Sequence, residues 1–154
     1  MLDFCLKKLL VFHCRKLLVL LYRLQNGCSG SFDLYCAQKI LFLDEFKGHH
    51  IPYGFILTTI EGYKSQIHCR YANAYSVWNE VHFTSVLSPE ECYCAMVKES
   101  DRNRDDIQQF LRRINTIVYH HKENDNYLTF ELPMSEYKGY KDLVLRALKS
   151  FGIK

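Results

Sequence analysis

From residue 67 to residue 86 the chain reads IHCRYANAYSVWNEVHFTSV, the longest alternation of apolar and polar positions in the sequence. Before its turn Ile67, Cys69 and Tyr71 alternate with His68, Arg70 and Ala72. After it Val77, Asn79, Val81 and Phe83 alternate with Trp78, Glu80, His82 and Thr84. A period of two predicts a hairpin with one largely apolar and one polar face. Residues paired across an antiparallel ladder share a face, so a three-residue loop at Asn73, Ala74 and Tyr75 gives the consistent register. It pairs Arg70 with Trp78 and His68 with Glu80. Residues 53–60 carry Phe55, Ile56 and Leu57 in an unbroken apolar run and predict a preceding strand covered on both faces. Residues 127–132, with Leu128, Phe130 and Leu132 in alternation, predict a further one.

Helical periods fill the remainder. Residues 2–24 are apolar nearly all round, apart from a stripe of Lys8, Arg15, Lys16 and Arg23, and predict a basic amphipathic N-terminal helix over 1–26 that packs on the domain or is appended to it. Charges interrupt it too often for a membrane span. A second helix is expected over 32–46. At Ser88, Pro89, Glu90 and Glu91 the sequence spells a helix start, with a capping hydroxyl, a proline in the first turn and a carboxylate three residues on. Ile107, Phe110, Leu111, Ile114, Ile117 and Val118 predict another helix, and Ser135 is expected to cap a last one that ends at Gly152. The expected fold is therefore α+β, an antiparallel three- to four-stranded sheet (about 53–60, 67–72, 76–86 and 127–132) packed by N-terminal, middle and C-terminal helices. Residues 1–154 are expected to form a single domain.

Composition narrows this picture little. A chain of 154 residues with 48% hydrophobic and 24% charged positions is ordinary globular material. Eleven tyrosines and ten phenylalanines point to an aromatic core or an aromatic contact surface. The net charge of +3 comes from intermixed signs and does not by itself mark a nucleic-acid binder. Seven cysteines without regular spacing fit reduced thiols in a cytoplasmic setting better than a disulfide framework.

Candidate chemistry gathers on the hairpin. Cys92 and Cys94, two apart on a helix, point roughly 200° from one another and cannot share a metal, so no metal site and no cofactor is expected. His82-x-Thr84 matches half of the paired signature of two-histidine phosphodiesterases; the second half is missing, since Tyr127, Leu128 and Thr129 include no histidine. The order helix, three strands, helix is similar to that of double-stranded RNA-binding modules. Where such a module holds phosphates on basic residues, this chain has Pro89, Glu90 and Glu91. What remains is a polar sheet face of His68, Arg70, Trp78, Glu80, His82 and Thr84.

The expectation is a small regulatory or interaction protein that binds a macromolecular partner, protein or nucleic acid, through that face, with residues 2–24 offering a weaker membrane-surface contact. One alternative is an enzyme acting on a nucleic acid or phosphoester, with Glu80, His82 and Arg70 as its catalytic candidates. The other is a nucleic-acid-binding module of the helix–strands–helix type.

Overall fold

The computed structural model describes residues 9–14, 21–24, 35–49, 51–61, 63–68, 73–123 and 126–153; for 9–14, 21–24, His68 and Asn73 the description is of the backbone. In chain order the elements are strands β1 (Leu9–Cys14), β2 (Leu21–Leu24) and β3 (Ile40–Leu43), helix α1 (Tyr53–Ile60) and strands β4 (Gln66–His68), β5 (Asn73–Tyr75) and β6 (Glu80–Ser85). Helices α2 (Pro89–Met96) and α3 (Ile107–Leu111), strands β7 (Thr116–Glu123) and β8 (Asn126–Pro133), and helix α4 (Tyr140–Phe151) complete the chain. The α+β class is as the sequence suggests. No helix among the described residues is long and apolar enough to cross a membrane.

The main sheet is mixed and six-stranded, in the order β2-β3-β6-β1-β7-β8. β3 runs parallel to both β2 and β6, and the remaining pairings are antiparallel. Two adjacent parallel strands need a crossover between them. The chain makes it with α1 and the small, separate β4–β5 hairpin. Phe83 and Ile117 are both register partners of Phe12, which puts them in line across the sheet. With Leu41, Leu43, Val81, Tyr119 and Leu132 they form the sheet side of the core, against Ile56 and Ile60 of α1, Cys92 and Tyr93 of α2, Phe110 of α3 and Leu143 and Ala147 of α4.

Several sequence expectations are corrected here. Residues 53–60 are helix α1, not a strand: Tyr53, Ile56 and Ile60 are buried and Leu57 half-buried, a helical stripe. Residues 9–14 and 21–24, placed in an N-terminal helix, are strands; short apolar runs such as Leu-Leu-Val-Phe have the same appearance in either state. The helix expected over 32–46 is broken by positive φ at Ala37 and Glu45, values outside the right-handed helical region, and its middle is β3. The helix over 107–118 ends at Leu111, and Ile117 and Val118 pass into β7, where β-branched and aromatic neighbours favour a strand. The last helix begins at Tyr140 behind Gly139 rather than at Ser135, and it ends on left-handed Gly152 as expected.

The hairpin register is also different. Gln66 pairs with Tyr75, Ile67 with Ala74 and His68 with Asn73, so residues 73–75 are a strand and not the loop. The 76–86 strand is shortened to β6, which pairs with β1 and β3 rather than with 67–72. Tyr75 is also a poor residue for the left-handed position that closes a three-residue loop.

Candidate functional site

Two surfaces inherit the residues singled out from the sequence, and they are separate. The first is the face of β6 turned away from the core. Pleating sends Val81, Phe83 and Ser85 to one side and Glu80, His82 and Thr84 to the other. Glu80 Oε1 lies 2.6 Å from His82 Nε2, with both side chains largely shielded at 17% and 15% exposure. The His82 ring lies 6.1 Å from that of Phe42, its partner on β3. Thr84 is engaged in holding the turn after β3: its hydroxyl donates to Asp44 Oδ1 at 2.6 Å and accepts from the Glu45 N–H at 2.9 Å.

Because β1 aligns His82 with Thr116 and Thr84 with Val118 through its own His13 and Val11, the same sheet face continues onto β7 and β8. There His120 Nδ1 meets Thr129 Oγ1 at 3.1 Å. Burial holds the His120 imidazole below its ordinary pKa, partly opposed by the Glu131 carboxylate. His121, on the opposite face, stacks between Tyr119 and Phe151.

Trp78 belongs to neither the strand nor the polar face. It is 7% exposed and shares the core with Phe83; its indole N–H donates to the Thr59 carbonyl at 2.9 Å, and its ring meets Tyr35 edge-on at 5.4 Å. A Trp with its one donor satisfied and its rings covered is a packing residue. The expected pairing of His68 with Glu80 is not the one adopted, since His68 sits on β4 opposite Asn73. The expected contact of Arg70 with Trp78 falls outside the described residues.

The second surface is the β4–β5 hairpin. Ile67 and Ala74 face inward, with Ile67 in the core, so their neighbours Gln66 and Tyr75 face outward, and both are exposed. Tyr75 is 64% exposed and Tyr63, just before β4, 76%. The base of the hairpin is pinned. The Ser76 N–H donates to the Ser65 carbonyl at 2.8 Å, and the Ser65 N–H donates to Ser76 Oγ at 2.8 Å. Beyond it, the Val77 N–H donates to the Tyr35 hydroxyl at 2.9 Å and the Asn79 N–H to the Lys39 carbonyl at 2.9 Å. The sequence held a signal for this surface in its tyrosines, but a register that put Tyr75 in a loop hid the outward row.

Cys92 and Cys94 part as expected, Cys92 buried and Cys94 exposed. Burial pushes the Cys92 thiol up to about 11, opposed by its contact with the Ser85 hydroxyl at 3.4 Å. No protein-family model matches the chain, and no curated protein matches it.

Proposed function

We propose that this is a small interaction or regulatory protein that binds a macromolecular partner, without a cofactor, through the β4–β5 hairpin. The observation that carries the reading is the exposure of Tyr63 and Tyr75 on a segment whose base is fixed by Ser65, Ser76 and Trp78. Large rings left in water on a preorganised support lose little conformational entropy when covered, and tyrosine is enriched at the centre of such contacts. The test is photo-crosslinking in cells with p-benzoylphenylalanine in place of Tyr75, and in place of exposed Lys149 of α4 as the control. A discrete adduct at position 75 and none at 149 is expected; equal or absent crosslinking at both overturns the proposal.

A second reading rests on the Glu80–His82 contact. A carboxylate against an imidazole is a proton-transfer pair, and it would serve an enzyme acting on a nucleic acid or phosphoester through the polar face of β6. On that reading Glu80→Gln and His82→Asn each lower hydrolysis of a phosphodiester substrate by about 100-fold. Equal activity in the variants and the parent removes it.

A further inference from the structure

The proposed hairpin contact has a chemistry of its own, and the inference that follows rests on that reading. Between Glu61 and Glu80 the sequence contains no carboxylate, while it contains Lys64 and Arg70. The nearer of the two bounding acids, Glu61, is ion-paired with Arg113 of the segment after α3. The other, Glu80, is turned to His82. The exposed described residues of the hairpin are Tyr63, Lys64, Gln66 and Tyr75: two rings, one cation and one amide, with no exposed aliphatic side chain among them. Tyrosine serves protein contacts too, but their centre is depleted of lysine and other charges, whereas here exposed Lys64 follows Tyr63 directly. The hairpin offers what a nucleic-acid strand uses: ring faces for bases, an ammonium for a phosphate and an amide for base edges or sugar hydroxyls.

We propose that the hairpin binds single-stranded nucleic acid, with Tyr63 and Tyr75 as stacking platforms and Lys64 as a phosphate contact. A single strand fits better than a duplex for two reasons. Stacking on a tyrosine requires an unpaired base with a free face, and duplex binding draws on many cations tracking two backbones, whereas the described part of the hairpin supplies one. Pinning of its base by the Ser65 and Ser76 hydrogen bonds and by Trp78 keeps the tyrosines in place before the strand arrives, which is the condition for a short surface to bind measurably.

The test is fluorescence anisotropy of the full chain with labelled oligo-uridylate and oligo-deoxythymidylate of about 12 nucleotides, in the range of small single-strand sites, and with a duplex of the same length. Expected are binding of the single strands in preference to the duplex, about tenfold weakening in Tyr75→Ser and in Tyr63→Ser, near-parental binding in Tyr75→Phe, and a shallower salt dependence in Lys64→Gln. Tyr127→Ser, which removes an equally exposed tyrosine from β8, should change nothing. Circular dichroism and thermal melts of each variant show that the fold is kept. Absence of oligonucleotide binding, or binding indifferent to the hairpin substitutions, overturns the inference. If position 75 then still crosslinks to a protein in cells, the hairpin remains a contact surface and the nucleic-acid assignment alone falls; if it crosslinks to nothing, both fall.

Discussion

Gly48 is held at φ +87°, and a Cβ placed on it would run into the carbonyl oxygen of Cys92, with Met96 and Ala95 of α2 close behind. Positive φ and close approach both demand glycine, so Gly48→Ala is expected to cost more than about 2 kcal/mol. A denaturant midpoint unchanged from the parent would contradict that contact between the end of the β3 turn and α2. Trp78→Ala is expected to cost about 3–5 kcal/mol, as core truncations of large rings do, because it empties the space between Tyr35 and α1 and strands the Thr59 carbonyl. Loss of partner binding with unchanged stability would instead return Trp78 to the surface. The two helical cysteines offer a chemical check. The thiolate is the reactive species, so iodoacetamide at about pH 8 should label exposed Cys94 and leave Cys92 unmodified until the protein unfolds, as peptide mapping would read. Sequence reasoning reached the separation of Cys92 from Cys94 because it depends only on helical geometry. It misplaced Trp78 because burial of a residue just outside a strand depends on what lies above it.

Helix α2 starts where its sequence says. The Glu91 N–H donates to Ser88 Oγ at 3.2 Å, and the Ser88 N–H donates to Glu91 Oε2 at 2.8 Å, with Pro89 in the first turn. Ser88→Ala is expected to lower stability by ~1 kcal/mol, measured as a shift in the urea midpoint. The Ser88 cap, the Gly152 stop and the 127–132 alternation were legible because each is decided within a few residues, whereas Ser135 has the look of a cap but lies before the helix that starts behind Gly139. α1 was legible in principle too: Tyr53, Ile56, Leu57 and Ile60 stand at helical spacing, but three consecutive apolar residues masked the stripe. The way α1, α2 and α3 are clamped was not legible. The Tyr53 and Tyr93 hydroxyls donate to the backbone carbonyls of Asp106 and Asp105, each at 2.7 Å, and their rings meet edge-on at 5.7 Å. These are partners about 50 and 12 positions away in sequence. Burial leads the shift of Tyr53 up to about 12, helped by Tyr93 and Asp105. The unfolded phenol ionises near 10, so the unfolded chain loses its proton first, and the stabilisation is intact below about pH 10 and lost progressively as pH rises toward 12. Tyr53→Phe should flatten that alkaline decline in thermal melts.

At the scale of the whole molecule, the feature least legible in the sequence is the position of β1. Residues 9–14 pair on one side with β6 and on the other with β7, so Val11 faces Thr84 across one ladder and Val118 across the other. No local pattern encodes partners some 70 and 110 positions distant, and a helical stripe could be drawn through the same residues. The consequence differs from that of an appended amphipathic helix. A central strand has both its backbone edges engaged, so a proline within it removes a ladder hydrogen bond and sets its ring against a neighbouring strand. Val11→Pro is therefore expected to abolish cooperative unfolding, and deletion of residues 1–26 to leave an insoluble or molten chain, since β6 and β7 would be exposed as new edges open to aggregation. Hydrogen exchange reads the outcome directly, with amides of 80–85 and 116–123 losing protection together in both variants while α4 retains more of its own. A soluble deletion product with native protection in those two strands would mean that β6 and β7 close on each other without β1. If such a product had lost only vesicle binding, the N-terminal segment would be a membrane-surface element and not the middle of the sheet.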